Sequence, residues 1–213
     1  MSSSLPGGLS SRRSHRRPAM AKVYTHMTMS LDGYIADPED GTGELFGWYD
    51  AGDVTVPSAD EHWSFRVDAN SAEMLREVLA GAGALVCGRR LFDLTNGWND
   101  SHPIGAPVVV VTHNAPEDAA KWRRTTFVDG VAEGIARARD VAGDKHVSIA
   151  SADIARQALD LGLVDEVYIS LVPVLLGKGI PYFANLTGAP HRFDDPVVIQ
   201  GKGATHLRYR VRR

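Results

Sequence analysis

Apolar and polar residues change period several times along this chain, and each change marks an element. Lys22–Met29 (KVYTHMTM) is β-prone and predicts the first strand, followed by a loop over Ser30–Ala36. Residues 37–60 are rich in Gly, Asp and Pro with little regular pattern, which predicts a functional lid rather than a plain connector. Asp60–Phe65 reads as a short helix. Ser71–Ala80 (SAEMLREVLA) reads as an amphipathic helix capped by Ser71, with Gly81 near its end. Leu85–Cys87 predicts a buried strand, Leu91–Thr95 a short helix, and Phe127–Val128 a further short strand. Pro107–Thr112 (PVVVVT) is continuously apolar between turn signals, as suits a strand buried on both faces. Val131–Val141 is helical in pattern.

The chain is organised around Lys145–Phe183. His146–Ala150 is a short β run, and Ser151 can cap the helix that follows. Ile154, Ala155, Ala158, Leu159 and Leu161 hold helical spacing, and Gly162 suits a left-handed stop. From Val164 the residues become β-branched and apolar. Such a unit leaves a helix N-terminus at the carboxyl end of a strand, where free N–H groups favour an anion. Asp153 opposes this with negative charge in the first turn. Phe193–Gln200 and Thr205–Val211 alternate apolar and polar residues and predict a closing antiparallel pair. Strands alternating with helices before such a pair indicate an α/β domain with a mixed, mostly parallel sheet.

Composition narrows the class. The 213 residues, 44% hydrophobic and 23% charged, suit one well-buried domain. A net charge of −3 gives no general nucleic-acid or anionic-membrane footprint. The single cysteine, Cys87, excludes an internal disulfide framework, fits a cytoplasmic location and reads as a buried strand thiol. No apolar run approaches the roughly 20 residues that span a bilayer. Residues 1–20 are Ser-, Arg- and Gly-rich and are expected to be a disordered tail, translated upstream of a natural start at Met20, with residues 21–213 as the domain. The pair Arg12-Arg13 lacks the apolar segment of an export signal. Arg12, Arg13, Arg16 and Arg17 are the only basis for a nucleic-acid role.

Metal ligation finds no support. His15, His26, His62, His102, His113, His146, His191 and His206 are scattered without ligand spacing. Three strand ends suit a phosphorylated cofactor instead. Gly88-Arg89-Arg90 combines close backbone approach with two guanidiniums. Thr112-His113-Asn114 ends the next strand with donors, and Ala150-Ser151-Ala152 precedes a helix. Their shared location favours a dinucleotide crevice.

Two sets of motifs carry a resemblance. The first is Met29-Ser30-Leu31-Asp32-Gly33-Tyr34-Ile35-Ala36, Gly88-Arg89-Arg90 and Gly97-Trp98. The second is Leu163-Val164-Asp165-Glu166 with Pro173-Val174-Leu175-Leu176-Gly177-Lys178-Gly179. In this order the chain, over about residues 22–212, resembles the dihydrofolate reductase superfamily. It is most similar to the reductase domain of bacterial riboflavin biosynthesis and its stand-alone relatives. The resemblance implies a three-layer α/β/α fold, with NADPH across the carboxyl ends of the strands and a homodimer, to which the apolar Val172–Leu176 run would contribute. By position, the Ser30–Ala36 loop would lie over the nicotinamide with Asp32 and Gly33 at the site, Met29 would be among the cofactor contacts, and Gly88, Arg89 and Arg90 would hold phosphates. Thr112 and His113 would lie near the adenosine 2′-phosphate. Ala150, Ser151, Ala152, Asp153 and Ile154 would follow the pyrophosphate.

The departures bear on substrate. The superfamily commonly has Gly-Gly where this chain has Ala150-Ser151. Riboflavin-pathway members usually carry an acidic contact at Ile149 and lysines at Tyr34 and His26. A ribosylamino-pyrimidine is therefore not the expected substrate. The expected activity is hydride transfer to a small heterocycle or other C=N, C=C or C=O acceptor. Asp32, Asp50 and Glu61 are the candidate acids, Asp32 being preferred as proton donor directly or through a water. Trp48, Tyr49 and Trp63 are a candidate aromatic substrate wall. The alternative is a non-catalytic nucleotide- or ligand-binding protein on the same scaffold.

Overall fold

The structure, a computed structural model, describes residues 21–60 and 63–213. The predicted tail and the candidate acid Glu61 lie outside the described residues. The strands are β1 (Val23–Ser30), β2 (Tyr34–Ala36), β3 (Val54–Pro57), β4 (Ser64–Val67), β5 (Ala82–Gly88) and β6 (Val108–Val111). They continue with β7 (Thr125–Val128), β8 (His146–Ala150), β9 (Glu166–Val172), β10 (Ile180–Pro181), β11 (Val197–Gln200) and β12 (Thr205–Arg210). The α-helices are α1 (Ala69–Gly81), α2 (Arg89–Leu94), α3 (Val131–Ala142) and α4 (Ala152–Asp160).

An eight-stranded sheet runs in the order β11-β12-β9-β1-β8-β5-β6-β7. Its six strands from β9 to β7 are parallel, and β12 and β11 close it as an antiparallel pair. The predicted mixed sheet is therefore present. Its parallel strands are covered on both faces, which is why β6 could be all valine. On one face, Val23, Val86, Val109, Val147 and Ile149 pack against Ile135 and Ala138 of α3 and Ala155 and Ala158 of α4. On the other, α1 lies against β11 and β3, and its Ala72, Met74 and Leu75 cluster with Val172 at the end of β9 and Ala204 just before β12. Phe92 of α2, with Trp98 and Trp122, covers β5 and β6 around Cys87, which is buried as expected. These are the three layers.

Three local expectations change. The cap of α1 is Asp68, whose carboxylate accepts from the N–H groups of Asn70 (3.0 Å) and Ser71 (3.2 Å); Ser71 stands inside the first turn. Residues 64–67 form a strand paired with β3, because Phe65 and Val67 alternate inward, and no helix forms there. The expected lid folds in large part into the body. Leu45 and Trp48 sit in the core on two short 3₁₀ turns, and only residues such as Asp40 and Thr42 border a cleft. Among the described residues no helix is long and apolar enough to cross a membrane.

Candidate functional site

The parallel strands β6, β5 and β8 end side by side, and their carboxyl ends open into a cleft of about 590 Å³. Its wall contains Gly88, Arg89 and Arg90 after β5, Thr112 and His113 after β6, and Ser151, Ala152, Asp153 and Ile154 after β8. These nine residues, drawn from three separate stretches, are brought together. Met29, Gly33 and Ala150 are not in the wall. Met29 packs into the core beneath the sheet, and Ala150 packs toward the Phe92 cluster. The wall also includes Met27, Ile35, Asp40, Thr42, Gln157 and Ile180. Met27 was foreseeable, since it shares the apolar face of β1 with Val23; Asp40 and Gln157 carried no sequence signal.

The cleft's cations are held by local anions. Arg89 Nε donates to both carboxylate oxygens of Asp93 (2.8 and 2.9 Å), and its Nη1 donates to the Asn114 carbonyl at 2.7 Å. Arg90 Nε donates to Asp40 at 3.0 Å, tying residue 40 to the far wall. His113 Nδ1 meets Asp129 at 2.6 Å. These exposed pairs contribute roughly 0–1 kcal/mol each, so an incoming phosphate can displace them at small cost. Asp153 is offset by Arg156 Nε (3.2 Å) and Gln157 Nε2 (2.7 Å), which removes much of the repulsion expected in the first turn of α4.

Ser151 does not cap α4. Its hydroxyl accepts from the Gly88 N–H at 3.0 Å and also contacts the Ala150 carbonyl, so it joins the ends of β8 and β5. Its φ is +143°, in the region glycine favours, so a residue with a Cβ is held in strained backbone at the cleft floor. A Cβ added to Gly88 would meet Ile154 at 3.5 Å and Ser151 Oγ at 3.7 Å, ordinary contacts. Packing of the protein alone therefore does not require glycine at position 88.

Two sequence assignments are corrected. Asp32 lies outside the cleft wall, and its carboxylate is occupied. It accepts from Ser30 Oγ (2.6 Å) and from the N–H groups of Leu176 (3.1 Å) and Gly177 (2.7 Å). The Ser30 hydroxyl and then the backbone donors hold it below the usual carboxylate range, which suits an acceptor and not a proton donor. Asp32 thus locks the Ser-Leu-Asp-Gly turn onto the Pro173–Gly179 loop. Gly33, at φ +93°, completes that turn, and its carbonyl accepts from Tyr182 N at 2.9 Å. Asp50 pairs with Arg66 at 2.7 Å on the surface.

The proposed aromatic wall is an inner cluster. Trp48 is 3% exposed, and its Nε1 donates to Thr28 Oγ1 at 3.2 Å. Tyr49 stacks on Phe46 at 4.9 Å and packs edge-on to Phe65 and Trp63, and burial pushes its hydroxyl up to about 12. Trp63 alone has substantial exposure, 39%. None of the three lines the cleft. Among the described residues, no cluster of three or more His, Cys, Asp or Glu could hold a metal.

A parallel sheet covered on both faces, with a cleft bordered by Arg and His at its strand ends, defines the class as α/β. The chain belongs to the RibD C-terminal domain family, which it matches over residues 21–192. No curated protein sequence matches it. Among solved structures it is similar to a putative riboflavin biosynthesis protein from Shewanella sp. PV-4 (24% identity, TM-score 0.65, 90% of this chain and 99% of that one). It is also similar to dihydrofolate reductase from Enterococcus faecalis in complex with NADP(H) (14%, TM-score 0.56, 90% and 97%). A third is Acinetobacter baumannii RibD (15%, TM-score 0.59), where 91% of this chain spans 59% of the longer protein. At these identities the likeness establishes the fold.

Proposed function

We propose that the protein is an NADPH-dependent reductase that transfers hydride to a small unsaturated acceptor. The observation that carries this reading is the convergence of Gly88–Arg90, Thr112–His113 and Ser151–Ile154 on one cleft. Its volume of about 590 Å³ lies within the usual range for organic ligands and cofactors. The donor set fits a phosphorylated nucleotide: two guanidiniums, an imidazole, and the N–H groups opening the nine-residue helix α4. Arg89 and Arg90 would release Asp93 and Asp40 to grip phosphate, and His113 with Thr112 would favour a 2′-phosphate. Met27, Ile35 and Ile180 would form an apolar end that excludes water from a flat ring. Bound NADPH would supply the hydride, while the protein supplies alignment.

Quenching of NADPH fluorescence and a rise in Tm with NADPH exceeding that with NADH are expected. No response to either nucleotide would sink the reading. A second reading, a non-catalytic nucleotide-binding protein, draws on one observation. The carboxylates in the cleft wall, Asp40 and Asp153, are both paired with basic or amide groups. NADPH consumption dependent on any pterin, pyrimidine or quinone would dismiss it. We also propose that a second copy covers the exposed Leu31 (60%) and Leu175 (69%), which lie on hydrogen-bonded loops. Sedimentation of a monomer at micromolar concentration would refute that pairing.

A further inference from the structure

At the rim of the cleft the ends of β6 and β7 set an imidazole beside a carboxylate. The two strands pair in parallel up to Val111–Val128, and the Thr112 N–H then donates to the Val128 carbonyl at 2.8 Å. One residue further along each chain end, His113 Nδ1 meets Asp129 Oδ1 at 2.6 Å. The turn that carries His113 is held at its base. Thr112 Oγ1 donates to the Asn114 carbonyl at 3.1 Å and accepts from the Asn114 N–H at 3.2 Å. Arg89 Nη1 donates to the same carbonyl at 2.7 Å. His113 and Gly130 border the cleft, whereas Asp129 is not in its wall. The two side chains are 87% and 69% exposed, so their pairing adds little to stability.

The pairing decides which protons a ligand meets. A carboxylate only accepts, so the proton of the short contact sits on His113 Nδ1. Nε2 has no hydrogen-bond partner among the described residues and is the ring nitrogen left for the cleft. In a neutral ring this Nε2 carries a lone pair and no proton. It can then accept from the 2′-hydroxyl of an adenosine ribose. It cannot bind a 2′-phosphate, which above about pH 7 is a dianion with acceptor oxygens only. Contact with that phosphate needs a proton on Nε2 as well, and the imidazolium then stands between two anions that both favour it. Without that proton, Asp129 opposes the phosphate as a like charge.

We propose that the His113–Asp129 pair chooses between NADPH and NADH by its protonation. NADPH binds with uptake of a proton from solvent onto His113 Nε2, and NADH binds the neutral ring through its 2′-hydroxyl. His113 touches the nucleotide; Asp129 is a positioning residue that acts through Nδ1. The preference for NADPH therefore weakens as pH rises. The other charged side chains on the elements that meet at this rim are Arg89 on α2, Glu117 beyond the turn, Glu133 in the first turn of α3 and Asp153 on α4. Carboxylates and guanidiniums keep their charge between about pH 7 and 8.5, so an imidazole is the group that follows pH there. The proposal rests on the cleft being the nicotinamide-nucleotide site with its adenosine at this end.

The test is calorimetric titration of the full chain with NADPH and with NADH at pH 7.5, in buffers of low and of high ionisation enthalpy. The difference in heat counts protons: about one should be taken up per NADPH and about none per NADH. Between pH 7 and 8.5 the ratio of NADPH affinity to NADH affinity should fall by about threefold to 30-fold. Uptake below about half a proton with NADPH, equal uptake with both nucleotides, or a smaller fall in the ratio overturns the proposal. Asp129→Ala frees the ring to carry its one proton on Nε2, so uptake should drop by at least about half and the ratio should flatten with pH. Asp129→Glu should retain the uptake of the parent. An alanine variant that takes up as much as the parent overturns the role of Asp129. If neither nucleotide binds, the nucleotide site itself is overturned together with this proposal. If both bind with the same proton count, this proposal alone falls.

Discussion

The two faces of β1 are both buried but are built on opposite rules. Val23, Met27 and Met29 face α3 and α4 among aliphatic neighbours, where contact is non-directional. The polar exception, Thr25, shares a 2.6 Å bond with Tyr182 Oη. Tyr24, His26, Thr28 and Ser30 face the other way, where Thr28 receives Trp48 Nε1 and His26 joins Ser170. An apolar face keeps its energy through small shifts and can shape a cleft. A face made of hydrogen bonds is fixed in geometry and sensitive to protonation. One strand thus presents an adaptable wall to the cleft and a directional network behind it.

The largest effect that would break this contrast is a change of pH. His26 and His206 have folded-state pKa values of about 3 and about 4, below the unfolded value near 6.5. Their contribution is whole above about pH 6.5 and is lost as pH falls toward 4, because the unfolded chain binds the protons. Between pH 7 and 5 each ring should cost about 2 kcal/mol, read as the free energy of urea unfolding. Equal stability at the two pH values would refute a neutral network. On the apolar face, Ile149→Ala should cost about 3 kcal/mol for a fully buried side chain, with the same loss at both pH values. A loss that varies with pH would mean that the faces are not independent.

At the cleft the expected change is in binding. Arg90→Ala removes a guanidinium whose only hydrogen-bond partner among the described residues is Asp40, so Tm should hold within a degree or so. NADPH affinity should fall roughly 10- to 100-fold, the worth of a charge-assisted bond to phosphate. An unchanged Kd would remove Arg90 from the site.

Much of the fold was legible because hydrophobic period dominates it: the all-valine β6, the helices α3 and α4, and β8 lie within a residue or two of their predicted bounds. The cap of α1 was misplaced because Asp68 and Ser71 are both good caps, and only burial of Ser71 against His206 separates them. The cleft was legible as three strand ends, since Gly-Arg-Arg, Thr-His and Ala-Ser each follow a β run. The role of Asp32 was not, because its backbone partners lie 144 and 145 residues further along the chain. The His26 network was hidden for the same reason, with Ser170 and His206 brought alongside only by strand order.

The smallest effect tests whether the cleft floor is strained. At φ +143° Ser151 bears a cost of order 1–3 kcal/mol, offset in part by the Gly88 N–H bond, worth roughly 0.5–1.5 kcal/mol. Ser151→Ala keeps the strain and loses the bond, so it should lower stability by about 1 kcal/mol. Ser151→Gly loses the bond but relieves the strain, against an unfolded-state entropy cost of roughly 0.5–1 kcal/mol. Glycine should therefore equal or exceed alanine in Tm, and by more than the usual preference for glycine over alanine at the residue that precedes a helix. Glycine also removes the Cβ from the cleft floor, so NADPH should bind it at least as tightly as the parent. Alanine more stable than glycine would show that the backbone at Ser151 is relaxed. The directional side of the sheet would then end at His26 and not extend to the strand ends.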